Sequence, residues 1–412
     1  MRVRRRLRVA MVSMHTSPVD SIGSGDAGGM NVVELHLAQS LAALGHRVDI
    51  ITRRCDPAQP DRQALGPGVD LIHLDAGPLR PLAKSAIDAH IPQFSAGLGQ
   101  LQPYDLIHSH HWMSGLAALP WARAWGVPHA QSYHSVAARP GSALSEGEPP
   151  ESPARVPGEA RLAVESDLVV AISAAEAGTV IERCGADPDR VAIVPPGVDH
   201  ALFHPLGPDQ FDPALEARLA PHGRGYAFFA ARLQPLKGPD LAIAGLSQVS
   251  ECIRPDLVIA GADSPDFAAY SDHLRQLTAD LELEPYVSFI GAQDRPSLAG
   301  LLRQARLTLV PSHSETFGLV ALESAACGTP VIAAAAGGLR EAVVHGESGQ
   351  LMDSRQPEDW GVAMMKLLGN QRLLRRMGVV AEVHARRFTW EGMAEQLDRL
   401  YHQLLDSEVA SK

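Results

Sequence analysis

Two carboxylates, Glu315 and Glu323, lie eight positions apart in the stretch PSHSETFGLVALESAACGTP (311–330), directly behind the apolar run LTLVP. A strand that passes through a polar turn into a helix gathers free backbone N–H groups and a helix dipole at one point, which suits a phosphate. At about 100° per residue the two carboxylates would stand roughly 80° apart if both were helical, so one side of a cleft would hold both. A carboxylate only accepts hydrogen bonds and grips paired hydroxyls well, so two of them along a cleft suit a sugar and a ribose. The same spacing also fits a surface helix capped by Ser314 with two solvated Glu.

Other polar residues gather at the ends of apolar runs. His108, His110 and His111 close YDLIHSHHW, and His134 closes VPHAQSYHS. Their spacing of two, in surroundings poor in Asp, speaks for hydrogen bonding to a polyol rather than for a metal site. Between Gly23 and Asn31 the chain reads GSGDAGGMN, which formally contains GxGxxG. The dinucleotide fingerprint wants the first Gly directly after the strand and an acidic residue closing the second strand. Here eight residues separate Met14 from Gly23, and the second strand ends in Thr52-Arg53-Arg54, so only a Gly-rich loop at a helix start remains.

These residues need elements to position them. Leu7–Met14 and 47–52 flank a helical pattern in which Val33, Leu37, Leu41 and Leu44 recur, and VDLIHL, YDLIHSHHW, VPHAQSYHS and DLVVAIS continue the alternation. That is a doubly wound α/β domain, with its polar strand ends on one rim. Pro195-Pro196-Gly197 marks a junction, after which YAFFAAR, DLVIAG, VSFIG, LTLVP and PVIAA form a second series. The fold class expected is α/β, two doubly wound Rossmann-like domains facing a cleft. The expected boundaries are 1–195 for the acceptor side, 196–388 for the nucleotide-sugar side, and a helix over 389–412 packing back on the first domain. The Pro- and Gly-rich stretch 136–158 reads as a surface loop except at its end, where Arg155 returns to the rim.

With 412 residues, 45% hydrophobic and 20% charged, the chain is globular and long enough for two cores. A net charge of −11 argues against nucleic acid or anionic membrane as partners, so any anion site must be a local basic cluster. Cys55, Cys184, Cys252 and Cys327 have no ligand spacing and read as reduced thiols of a cytoplasmic protein. The basic start, MRVRRRLR, precedes an apolar run too short for a signal segment, and no stretch is long enough for a membrane span.

Set together, MVSMHTSP with GSGDAGGMN, YDLIHSHHWMSG, ARLQPLKGPD, the Glu315 stretch with Gly337-Gly338, and RRFTW resemble the GT-B retaining glycosyltransferases of family 4. That family holds the sucrose-phosphate synthases, and the match is with its inositol-phosphate branch from mycothiol biosynthesis. The resemblance implies transfer of a hexosyl group, N-acetylglucosamine from UDP-GlcNAc, to 1D-myo-inositol 3-phosphate with retention. It implies a donor side of Gly29, Arg232, Lys237, Glu315, Phe317, Gly318, Leu319 and Glu323, with Arg232 and Lys237 on the diphosphate, Glu315 on the sugar and Glu323 on the ribose. It implies an acceptor side of His15, Asp26, Asn31, Lys84, His111, Ser135 and Arg155, with Lys84 and Arg155 holding the phosphate. His134, with Glu315, Arg232 and Lys237, takes the catalytic roles. A UDP-sugar is the only co-reactant required; Mg2+ is optional, no metal site is expected, and a homodimer is compatible. The family's Tyr and Thr are replaced by His111 and Ser135, and His111, once protonated below pH about 6.5, would strengthen phosphate binding. The competing readings are a relative with a sugar phosphate or an aminocyclitol as acceptor, and a non-catalytic sugar-nucleotide-binding protein.

Overall fold

Apolar runs buried on both faces assemble into two parallel sheets. The computed structural model describes residues 5–20, 28–139, 141–142, 144, 147, 152–207 and 210–410. The first sheet contains β1 (Arg8–Val12), β2 (Arg47–Arg53), β3 (Arg62–Gly66), β4 (Val69–Leu74), β5 (Leu106–His110), β6 (His129–Ser132), β7 (Leu168–Ala171) and β8 (Val191–Ile193). Its order is β3-β4-β2-β1-β5-β6-β7-β8, parallel except for the edge strand β3. The second contains β9 (Tyr226–Ala230), β10 (Asp256–Ala260), β11 (Val287–Gly291), β12 (Leu307–Val310), β13 (Val331–Ala334) and β14 (Gly349–Met352), in the order β11-β10-β9-β12-β13-β14.

Each sheet has one place where the winding reverses, and there the strand ends leave a crevice. In the first sheet it lies between β1 and β5, so the residues just after them, His15 and His111, share that crevice. In the second it lies between β9 and β12, which brings the loop of Arg232 and Lys237 beside the turn of Glu315.

The chain crosses between the sheets after Ile193 and returns near Phe388. The N–H of Val198 donates to the carbonyl of Phe388 at 3.2 Å, and a Cβ added at Gly197 would stand 2.3 Å from the Trp390 nitrogen. Only glycine lets these two crossings lie so close. The last helix (Trp390–Ala410) buries Trp390, Met393, Leu397 and Tyr401 against β1 and the helix α1 (Gly29–Ala43) of the first domain. The stretch TWEGMAEQLDRLY shows the periodic apolar face that drives this docking. No described helix is long and apolar enough to cross a membrane.

Candidate active site

Between the two sheets lies a cleft of about 440 Å³, lined from one side by His15, Gly29, Lys84, His111, His134, Ser135 and Arg155. Arg232, Lys237, Glu315, Phe317, Gly318 and Leu319 line it from the other.

On the second domain the turn after β12 is shaped by glycine. Gly337 has φ of 51°, and a Cβ there would come within 2.0 Å of the Glu315 carbonyl; the N–H of Gly338 donates to that same carbonyl at 2.9 Å. The Glu315 carboxylate so placed accepts from Lys237 Nζ at 2.7 Å and from Ser312 Oγ at 2.9 Å. Gly318, at φ 98°, starts the helix Leu319–Ala326, so Glu315 lies in the turn and only Glu323 is helical. The two carboxylates therefore do not share a helix face. Glu315 borders the cleft, whereas Glu323, 3% exposed, is paired with the guanidinium of Arg295 and is not among the lining residues.

On the first domain, His15 and His111 lie ring to ring at 4.1 Å. Burial drives both well below 6.5, and the neighbouring charges of Lys84 and Arg155 add to it on both rings. The same two cations act on the same two rings, so their fields converge on one pocket of the cleft. His111 is neutral at ordinary pH, and this corrects the expectation that its protonation would assist phosphate binding. Arg155 is 2% exposed; its Nε donates to Glu159 at 2.7 Å and its guanidinium reaches Ser135 Oγ at 3.0 Å. Arg155 thus opens the helix Arg155–Glu165 and braces Ser135 at the cleft wall.

His134 has φ of 58°, outside the ordinary range for a side-chain-bearing residue. It is held on several sides. Its ring Nε2 meets His110 Nδ1 at 2.7 Å, and its carbonyl accepts from Thr316 Oγ1 of the other domain at 2.8 Å. The Glu176 carboxylate accepts its backbone N–H and that of Ile172. Burial pushes the His134 ring down to about 4 and the Glu176 carboxyl up to about 7. Thr316 sits next to Glu315, so one hydrogen bond ties the Glu315 turn to the opposite wall. A second tie joins the N–H of Ala174 to Glu341 Oε1 at 2.7 Å.

Asn31 does not reach the cleft lining. Its amide stitches the start of α1 to the loop after β1, donating to Thr16 Oγ1 at 2.9 Å and Ser17 O at 2.7 Å. Asp26 lies outside the described residues. Sequence reasoning passed over Arg295, Thr316 and Glu176. Glu176 carried a signal, since Ser173 three residues before it forms the first half of a capping box, and Ser173 Oγ does accept its N–H at 3.0 Å. Arg295 carried a fainter one, as a cation opening a helix (Arg295–Gln304) against the helix dipole.

Family models agree with this two-sided construction: a glycosyl transferase 4-like domain matches residues 28–197 and the glycosyl transferases group 1 matches 212–383. The D-inositol 3-phosphate glycosyltransferase of Thermomonospora curvata is 40% identical to the chain, over 98% of this chain and 97% of the relative. The chain belongs to the D-inositol 3-phosphate glycosyltransferase family. It is a hexosyltransferase of GT-B fold. Among solved structures, sucrose-phosphate synthase from Thermosynechococcus elongatus superposes with a TM-score of 0.88 at 28% identity, covering 98% of this chain and 100% of that one. Anabaena HepE, solved with UDP and glucose, has the same fold, with a TM-score of 0.77 at 19% identity, covering 97% of this chain and 100% of that one.

Proposed function

We propose that this glycosyltransferase moves N-acetylglucosamine from UDP-GlcNAc to 1D-myo-inositol 3-phosphate with retention at the sugar carbon. The observation that carries the reading is the division of one cleft. Arg232, Lys237 and Glu315 stand on one wall, Lys84, Arg155 and Ser135 on the other, and His134 is tied between them. Arg232 and Lys237 hold the diphosphate, whose leaving charge grows as the bond to the sugar breaks; fixed cations in a closed cleft act most strongly on such a developing charge. Lys237 is already paired with Glu315, so donor binding redistributes one ion pair rather than creating a new one. Glu315 takes sugar hydroxyls. Glu323 serves the ribose only if its pairing with Arg295 opens toward the cleft.

On the acceptor wall, Lys84 supplies a point charge and Arg155 a planar fork for the phosphate. The acceptor hydroxyl attacks the sugar carbon from the face that UDP leaves, and its proton passes to the departing β-phosphate oxygen. The protein's share is then positioning and charge stabilisation. That the curated relative is named for inositol 3-phosphate supports this acceptor. The likeness to sucrose-phosphate synthase favours one alternative, a sugar phosphate in the same cationic pocket.

UDP release measured over a matrix of UDP-GlcNAc and UDP-glucose against inositol 3-phosphate, free inositol and fructose 6-phosphate, each with EDTA or Mg2+, tests the reading. Turnover is expected with UDP-GlcNAc and inositol 3-phosphate. Preference for fructose 6-phosphate would hand the site to the alternative, and equal use of free inositol would remove the phosphate pocket.

A further inference from the structure

Behind the cleft wall, the side chain of His134 rests on a second imidazole that the transfer reaction does not itself call for. His110, the last residue of β5, is wholly buried. Its ring meets that of His134 edge to edge, with centroids 5.0 Å apart, planes 17° from parallel and His110 Nδ1 2.7 Å from His134 Nε2. His108 packs on its other side at 4.4 Å, and the buried carboxyl of Glu34, from α1, stands 3.9 Å from His110 Nδ1. His110 Nε2 has no hydrogen-bond partner among the described residues.

We propose that His110 is a positioning residue that fixes the tautomer of His134, so that His134 offers the cleft Nδ1–H, a neutral hydrogen-bond donor. The inference rests on the preceding reading of His134 as part of the transfer site.

A 2.7 Å contact between two imidazole nitrogens requires one proton between them, and two assignments are open. If His134 Nε2 carried it, neutral His110 would keep its own proton on Nε2, a buried N–H with no acceptor. If His110 Nδ1 carries it, His110 Nε2 is left as a bare lone pair. Orphaned buried N–H groups are rarer than under-satisfied acceptors, so the second assignment is favoured. His134 Nε2 then accepts, and its own proton must sit on Nδ1.

Both rings are neutral, because burial depresses each of them and raises the carboxyl of Glu34, which therefore brings no negative charge to His110. His134 is half-buried and lines the cleft, and its Nδ1 is the ring nitrogen that His110 leaves for a ligand. A neutral N–H donor there suits an oxygen that only needs to be held, a sugar hydroxyl or a phosphate oxygen. The opposite tautomer would present a lone pair, which repels a phosphate oxygen and can take a hydroxyl only by its own O–H.

Nitrogen NMR of histidine-labelled free protein reads the tautomer directly, and His134 is expected with a protonated Nδ1 and a bare Nε2. Two variants read the consequence. His110→Asn keeps a hydrogen-bonding group near the place of Nδ1, and His110→Leu removes it. The loss of one neutral hydrogen bond predicts a kcat about tenfold lower for His110→Leu, with the donor KM unchanged, and within about threefold of wild type for His110→Asn. A merely structural role would lower the melting temperature of both variants without separating their kcat values. A protonated Nε2 on His134 in the wild type, or equal kcat loss in both variants, overturns the proposal. If His110→Leu does not fold, the wild-type spectrum still decides. Because that spectrum is taken without substrate, a wrong acceptor or donor assignment leaves its result untouched.

Discussion

At the scale of single residues, the proposed acceptor pocket combines two cations with two histidines that do not titrate near neutrality. Lys84 is the cleaner probe, since truncating Arg155 would strand the buried Glu159 carboxylate as well. A charge-assisted hydrogen bond contributes about 1.5 to 3 kcal/mol, so Lys84→Ala should lower kcat/KM for a phosphorylated acceptor about ten- to a hundredfold. UDP affinity measured by calorimetry should stay as in the wild type; loss of both together would mean that Lys84 serves the donor. His111 gives a second test. Burial, with the neighbouring charges of Lys84 and Arg155, holds its ring well below 6.5, so it stays uncharged in the range where an acceptor phosphate changes charge. The acceptor KM should weaken toward acid only as the phosphate itself protonates, near pH about 6. The ratio of KM between His111→Tyr and wild type should therefore be constant from about pH 6 to 8. A ratio that climbs toward acid pH would show His111 binding as a cation.

At the scale of elements, the site depends on two strand-end turns that glycine brings together. Gly337→Ala would drive a methyl to within 2.0 Å of the Glu315 carbonyl, at a φ that L-residues rarely adopt, so the turn must move. Displacing Glu315 by an ångström predicts a loss of about a hundredfold in kcat, and the strained turn should lower the melting temperature as well. Wild-type kcat in this variant would mean that the turn does not position the carboxylate for reaction. Much of this level was legible beforehand. Buried parallel strands announce themselves as Val-, Ile- and Leu-rich runs, and β4, β10 and β12 are legible from them. Two strands escaped: RQALG of β3 is an exposed edge with polar residues, and GQLM of β14 is short with no apolar alternation. The pairing of Glu315 with Glu323 was overread, because a helical wheel takes for granted that the helix begins before both, and Gly318 starts it between them. Which strand ends face one another was not legible from any segment. It follows from the sheet order, and so Thr316 meeting His134 and Arg295 meeting Glu323 had no local signature.

At the scale of the whole molecule, the cleft is walled by imidazoles that folding keeps uncharged, and this couples stability to pH. In the folded chain His15, His108, His110, His111, His129 and His134 all lie below the usual value of 6.5, each chiefly through burial. Between those folded values and 6.5 the unfolded chain holds more protons, so their contribution is complete above pH 6.5 and is lost as pH falls. Glu34 and Glu176 act the other way: their carboxyls are raised by burial, so they favour the folded state toward acid. The rings outnumber these two carboxyls, and each net proton is worth about 1.4 kcal/mol per pH unit. The melting temperature should therefore be highest near neutrality and fall steeply from about 6.5 toward 5. Because His108, His110 and His134 form one chain of contacts reaching from the Tyr401 hydroxyl of the last helix to the cleft, protonating it should loosen the cleft and that helix together. Scanning calorimetry from pH 7.5 to 5.0 measures the first effect, and hydrogen exchange of the last helix over the same range measures the second. His111→Tyr removes one titrating ring and should make the calorimetric slope shallower by about 1.4 kcal/mol per pH unit. A melting temperature that holds or rises on acidification would show that the carboxyls, not the imidazoles, set the acid stability of this fold.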